Sequence, residues 1–337
     1  MKPRMRGRRI GVLMGGLSSE RDQSLRTGEA VHAALCERGF EAIKVYVDAD
    51  LDLVLRAERI DVAFLALHGR YGEDGCVQGL LELFGIPYTG SSVLSSALAM
   101  DKLKAKELFR LHNLSTPPYY VHVRGEGAAG DQHGSFGFPS VVKPRAEGSS
   151  LGVRRVEEVD ELELGIDEAL RFDDHVLVER YIEGTEVHVA VLGGRPLGAV
   201  EIDRAGRLYD YSARHQAAMP LYVPPRLSPE RLRGALTLAM RASRALECTG
   251  LCEVDIVVSE RGNEHVLEVD TLPSLAPSSL TPKIAHAAGL SFEELCEAVL
   301  QEARLHTARR PSGTRRLRLD ERHYAGPDRR AQPTEPH

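Results

Sequence analysis

At 337 residues the chain is long enough for two or three domains, and its 42% hydrophobic and 27% charged content is that of a globular protein with an ordinary core. A formal net charge of −6 excludes a general nucleic-acid or membrane-surface binder, and no apolar stretch approaches the roughly 18 residues that span a bilayer. The five cysteines, Cys36, Cys76, Cys248, Cys252 and Cys296, are scattered without paired zinc or disulfide spacing and read as reduced thiols of a cytoplasmic protein.

The N-terminal RRIGVLMGG reads as a buried strand and a glycine turn, too short and too glycine-rich for a secretory signal. Ser18 or Ser19 is placed to cap a helix over roughly Glu20–Arg38. EAIKVYVD is a second strand. DVAFLALHG is a third, nearly all apolar, as suits a central parallel strand covered on both faces. It ends at His68, before GRYGEDG, the helix VQGLLELFG and the strand IPYTG. Strands alternating with helices predict an α/β domain with a parallel sheet, whose functional groups lie beyond the carboxyl ends of the strands. Glu20 and His68 are there.

ALAMDKLKAKELFRLHNL predicts one amphipathic helix, whose Lys102, Lys104 and Lys106 are by default solvated. TPPYYVHV is a strand, and the glycine-rich residues 124–137 suggest a flexible insertion. FPSVVKP is a strand ending at Lys143. After it, RAEGSSLGV offers a donor-rich loop with Ser149, able to wrap phosphate oxygens beside a lysine, or else an ordinary Gly/Ser turn. VDELELGIDEALRF predicts a helix, and DHVLVERYIEGTEVHVAVLGG a strand, a short connector and another strand.

RPLGAVEID and RLYDYSARH continue a sheet, and the Pro-rich AAMPLYVPPRL is a candidate lid. SPERLRGALTLAMRASRALEC is a long helix with Pro229 in its first turn. DIVVS and EHVLEVD flank the turn cluster ERGN and predict a β-hairpin. Centred on Arg261–Gly262, it sets Ser259 against Glu264, Val257 against Val266 and Asp255 against Glu268, with Asp270 on the same face. Three converging carboxylates suit a hard divalent cation; the plainer reading is a solvated acidic face. From Thr307 onward, eight arginines against four acidic residues, among scattered Pro and Gly, predict a disordered basic tail.

Taken in order, GGLSSER, HGRYGEDG, GIPYTGS, MDKLKAK, VVKPRAEGSSLGV, LVERYIEGTE, YDYSARH and VDIVV…LEVDTLP resemble the D-alanine–D-alanine ligase family of the ATP-grasp superfamily over about residues 8–303. The resemblance implies a three-domain α/β ATP-grasp architecture: a Rossmann-like parallel-sheet domain (1–97), a central domain (98–186), a C-terminal domain with the metal site (187–306) and the tail (307–337). It implies ATP-dependent joining of two D-alanines through an acyl phosphate, for peptidoglycan. The expected cofactors are ATP and Mg²⁺, with Mn²⁺ as an alternative, and the expected partners are amino-acid substrates and a second copy in a homodimer.

Residue by residue, Asp255, Glu268 and Asp270 match the metal ligands. Lys102 and Lys143 match the phosphate lysines. Glu179, Arg180 and Ile182 lie on the adenine-binding connector, and Glu186 matches the ribose carboxylate. Glu20 matches the group that holds the first substrate's ammonium, and Ser149 the serine of the active-site loop. Ser279 and Leu280 match contacts to the second substrate's carboxylate. The chain departs from the family pattern at several points. Asp270 stands for Asn, Arg214 for the lid lysine, and His215 for a tyrosine. Glu253 replaces the arginine that stabilises the oxyanion, and Ser274 replaces the glycine whose N–H does the same. These two departures keep alternatives open: a ligase for another amino acid or amine, or an ATP-binding homologue with impaired catalysis.

Overall fold

The computed structural model describes residues 5–204 and 219–307. Arg214, His215, the whole of the strand expected at RLYDYSARH and the tail beyond Thr307 lie outside them. β1 (Arg9–Gly15), β2 (Glu41–Val47) and β3 (Val62–Leu65) form a parallel sheet in the order β2-β1-β3, with α1 (Arg21–Glu37) and α2 (Leu51–Glu58) as crossovers. The central strand is therefore β1, and the apolar run expected there is β3. That run is buried nonetheless, because Ala63 N–H donates to Pro87 O at 2.9 Å and Thr89 N–H to Ala63 O at 3.1 Å along its outer edge. Neither Ser18 nor Ser19 caps α1. Glu20 takes the cap position, and Ser18 Oγ instead accepts Glu20 N–H at 3.2 Å and donates to His68 O at 2.7 Å, tying two strand ends together. α1 lies so close to β1 that a Cβ at Gly28 would meet Met14 Cβ at 2.4 Å.

α3 (Cys76–Phe84) follows, then α4 (Val93–Met100) and α5 (Lys102–Leu111). The single helix expected here is two, broken at Asp101. That residue is extended, ends α4, and caps α5 by accepting Lys104 N–H at 3.1 Å. Its carboxylate is gripped by both arms of Arg145, at 2.9 and 2.5 Å. The grip fixes the start of α5, so Lys102 projects into a cavity instead of water.

β4 (Tyr119–Val123), α6 (Ala129–His133), β5 (Ser140–Pro144), β6 (Arg154–Val156), α7 (Val159–Ala169) and β7 (His175–Arg180) build an antiparallel sheet in the order β4-β7-β5-β6. α6 lies within the glycine-rich stretch read as an insertion. α7 covers this sheet, packing Leu162 and Ile166 with Val142, Val156 and Val178.

The third sheet, β10-β9-β8-β11-β12, comprises β8 (Gly184–Leu192), β9 (Arg195–Ile202), β10 (Leu221–Tyr222), β11 (Leu251–Ser259) and β12 (Glu264–Asp270). α8 (Pro229–Ala245), capped by Ser228, seals one face, with Val187, Val189, Val254, Ile256 and Val258 beneath it. Strand alternation turns Glu186, His188, Glu253 and Asp255 to the opposite face. α9 (Leu280–Ala287) and α10 (Phe292–Leu300) follow, and Leu295 and Val299 of α10 close onto Ile10 and Val12 of the first sheet.

The hairpin departs from its expected register near the turn. Val257 pairs with His265 and Ile256 with Val266, and a bulge then restores Asp255 opposite Glu268, with Glu253 opposite Asp270. The reason is burial. Val266 and Val269 both belong to the core under α8, which residues three apart in a strand can do only if one extra residue, Leu267, lies between the two registers. Deleting Leu267 is expected to remove the bulge while leaving Val266 and Val269 toward α8 and Glu268 and Asp270 on the opposite face, so stability read by urea denaturation is expected to fall by no more than about 1 kcal/mol.

Candidate active site

The carboxylate face opens on a cavity of about 550 Å³, lined among others by Glu20, His68, Lys102, Ser149, Asp255 and Asp270. Glu20 arrives from the β1–α1 turn and is buried. Ser149 Oγ donates to its Oε1. Ser149 and the following Ser150 adopt left-handed φ values of +47° and +58°, which serine rarely does. Gly148 is required beside them, since a Cβ there would stand 2.6 Å from Glu20 Oε2. The 145–152 loop is thus latched onto the N-terminal sheet through Glu20.

A hydroxyl chain runs along the cavity. Ser279 Oγ donates to Ser274 Oγ at 2.8 Å, and Ser274 and Thr27 hydroxyls lie 3.3 Å apart. Thr27 in turn contacts His68 Nε2 at 3.0 Å. Ser274 has no positive φ, so serine sits there without the backbone strain that replacing a glycine suggested. Burial lowers the His68 pKa, and its Nδ1 lies 3.5 Å from Glu73 Oε1. Burial, then the nearby Glu20 charge, holds Glu73 well above the usual carboxylate range.

Four carboxylates share the hairpin face. Asp255 and Glu268 are register partners, as are Glu253 and Asp270. The tightest ligand-type group among the described residues is a different one, however: His188, Glu253 and Asp255, with ligand atoms within 4.8 Å of one another. His188 Nδ1 lies 2.7 Å from Asp255 and 3.0 Å from Glu253, and its Nε2 lies 3.1 Å from Glu186. Burial opposes its charge, but Asp255, Glu186 and Glu253 outweigh that and hold its pKa well above the ordinary value. Glu253 also accepts from Thr281 Oγ1 at 2.6 Å. The negative charge introduced at position 253 is therefore balanced from the neighbouring strand. Burial and the charge of Glu73 raise Asp270 well above the usual range, and burial raises Asp255 against the pull of His188.

Lys102 Nζ donates to Glu147 O at 2.7 Å and pairs with Glu268 at 3.1 Å. Burial works against its charge, but Glu268 prevails and raises its pKa. Lys102, Asp255 and Glu268 also border a second cavity of about 90 Å³, lined by Lys143, Glu179, Arg180, Ile182, Glu186 and Arg204, between the central and C-terminal sheets. Arg204 pairs with Glu186 at 3.1 Å. Lys143 and Lys106 both pair with Glu179 Oε1, at 2.8 and 3.0 Å. Lys104 is exposed as expected, whereas Lys102 and Lys106 are buried.

Of the residues expected at the site, Glu20, Ser149, Ser274, Ser279, Leu280, Asp255, Glu268, Asp270 and Lys102 line the larger cavity, and Lys143, Glu179, Arg180, Ile182 and Glu186 the smaller one. Arg214 lies outside the described residues. The sequence reading passed over His188, Thr281 and Thr27, and took Lys106, which is fully buried, for a solvated helix lysine. For His188 a signal existed: in GTEVHVAVL it alternates with valines, two residues from Glu186, and so shares its face.

Family models described as D-ala D-ala ligase C-terminus and D-ala D-ala ligase N-terminus match residues 109–301 and 51–91. The D-alanine–D-alanine ligase of Geotalea uraniireducens (strain Rf4) is 48% identical over 302 residues, covering 89% of this chain and 97% of that protein. The crystal structure of D-alanine–D-alanine ligase from Bacillus anthracis complexed with ATP superposes with a TM-score of 0.77 at 35% identity, covering 88% of this chain and 96% of that one. The VanG D-Ala:D-Ser ligase from Enterococcus faecalis gives 0.76 at 29%, covering 87% and 98%.

Replacing His188 by leucine leaves Glu186, Glu253 and Asp255 without their shared cation. His188→Leu is expected to cost about 3–5 kcal/mol in urea denaturation. Adding Glu253→Gln is expected to restore about 1–2 kcal/mol of that, a coupling that a double-mutant cycle measures.

Proposed function

The chain belongs to the D-alanine–D-alanine ligase family, and from that premise we propose that it joins two D-alanines at the expense of ATP, releasing ADP and phosphate. The observation that carries the reading is the joining of the two cavities at Lys102, Asp255 and Glu268, one cavity lined by Lys143, Glu179, Ile182 and Glu186 and the other holding Glu20. On this reading the smaller cavity takes adenosine, with Glu179, Arg180 and Ile182 at the base and Glu186 at the ribose. Lys102 and Lys143 neutralise the phosphates, and Arg214 is assigned the same task on the family's pattern alone. The buried Glu20, steadied by Ser149, accepts the first D-alanine's ammonium and aims its carboxylate at the γ-phosphorus. Attack there breaks the bond to ADP and forms the acyl phosphate.

The second D-alanine, held at its carboxylate by Ser279 and Leu280, attacks the acyl carbon through its neutral amine. Phosphate leaves and the amine sheds a proton. Ser274 N–H is the donor proposed for the developing oxyanion. The donor set suits a hard divalent cation: buried carboxylates on one face, with Asp255 and Asp270 held above their usual range, are what such a charge relieves. Asp255, Glu268 and Asp270 would hold Mg²⁺ or Mn²⁺, which when bound neutralises phosphate oxygens.

A ligase for a different second substrate is favoured by one observation, the carboxylate of Glu253 beside Thr281 in the larger cavity. Against it, that carboxylate is already matched by His188 and Thr281. The three sheets support a division into domains at 1–97, 98–186 and 187–306. No helix among the described residues is long and apolar enough to cross a membrane. We propose a cytoplasmic location and a homodimer on the family's pattern.

Phosphate release with Mg·ATP is expected to require D-alanine and to yield a product with the mass of the dipeptide. Phosphate release without dipeptide from any amino-acid pair would overturn the reading. Glu20→Gln is expected to lower kcat/KM for D-alanine by about 10²–10³, as removal of one charged positioning contact does, with little change in KM for ATP.

A further inference from the structure

We propose that Lys106 is the standing counter-ion of Glu179, which frees Lys143 to leave that carboxylate for the phosphates of an incoming nucleotide. The inference rests on the nucleotide reading of the smaller cavity and deepens it.

Two ammonium groups meet one oxygen, Glu179 Oε1, Lys106 at 3.0 Å and Lys143 at 2.8 Å. Lys143 lines the cavity together with Glu179, while Lys106 lines neither cavity and is fully buried. Lys106 is also fixed in place. Its Nζ donates to Thr116 Oγ1 at 2.6 Å, Thr116 donates onward to Val266 O at 2.8 Å, and the Tyr119 ring lies 5.7 Å from the ammonium. One cation is therefore anchored in the core and the other stands where a ligand can reach it.

That asymmetry has an energetic consequence. Glu179 is 2% exposed. Were Lys143 its sole partner, moving Lys143 to a phosphate would strand a buried carboxylate, which is strongly unfavourable. Lys143 would then stay on Glu179, and the protein would compete with the nucleotide for its own lysine. With Lys106 in place, Glu179 stays paired in both states. Burial pushes the Lys106 ammonium down to about 8, which leaves it charged at neutral pH, and the two lysines overcome burial to hold Glu179 below its usual range. Lys106 touches neither base nor phosphate, so it acts as a positioning residue.

The test compares binding of Mg·AMP-PNP and of adenosine by full-length wild-type, Lys106→Met and Lys106→Arg proteins in calorimetry. Lys106→Met is expected to weaken AMP-PNP by about 10- to 100-fold while adenosine binding holds, because adenosine has no phosphate to claim Lys143. Lys106→Arg is expected to recover most of the loss. The double variant Lys106→Met/Glu179→Gln, which removes both buried charges together, is expected to return the AMP-PNP-to-adenosine affinity ratio to near the wild-type value even if the single variant does not fold. Equal loss of both ligands in Lys106→Met, or a ratio in the double variant that stays depressed, would overturn the proposal in favour of a packing role. Unchanged AMP-PNP affinity in a folded Lys106→Met would overturn it outright. Wild-type protein that binds no AMP-PNP would instead remove the nucleotide reading, and the proposal with it.

Discussion

An antiparallel sheet with one sealed face and one charged face sets the terms for the rest of this protein. Under α8 the strands β8, β11 and β12 present valine and isoleucine. On the other side the same strands carry Glu186, Glu253, Asp255, Glu268 and Asp270. Strand alternation, interrupted on β12 by the bulge at Leu267, sets that partition, and burial makes the charged side costly unless cations answer it. His188, Lys102 and Arg204 do so from within the site. A bound divalent cation would complete the balance.

Seen this way, the departure at position 253 is a local rearrangement of charge. A glutamate two residues before Asp255 would be untenable among carboxylates by itself. It stands because His188 lies one strand away and Thr281 closes the other oxygen. The serine at 274 is likewise absorbed: it adopts an ordinary backbone conformation and joins the hydroxyls of Ser279 and Thr27. Two changes that look like losses in a linear comparison are each embedded in contacts that the rest of the chain supplies.

The larger cavity draws on separate parts of the chain through a few fixed points. Arg145 grips Asp101 and so aims Lys102. Ser149, strained into the left-handed region, latches its loop to Glu20 from the first sheet. Residues 129 positions apart meet there. Such latches order the site before any substrate arrives, and preorganisation is where much of the catalytic advantage of a ligase of this kind resides.

By itself the sequence determined the periodicities, and with them most strands and helices, the hairpin turn between Ser259 and Glu264, and the pairing of Asp255 with Glu268. It also held the motif order that names the family, because those motifs are local strings with local physical causes. What it left open depended on contacts between distant segments. The slip of register at Leu267 follows from which valines the helix α8 covers. The break at Asp101 follows from an arginine forty-four residues away. The burial of Lys106, indistinguishable in the sequence from its solvated neighbour Lys104, follows from Glu179 on β7. Charge compensation is a property of three-dimensional neighbours, and only the tertiary structure decided which cation answers which carboxylate.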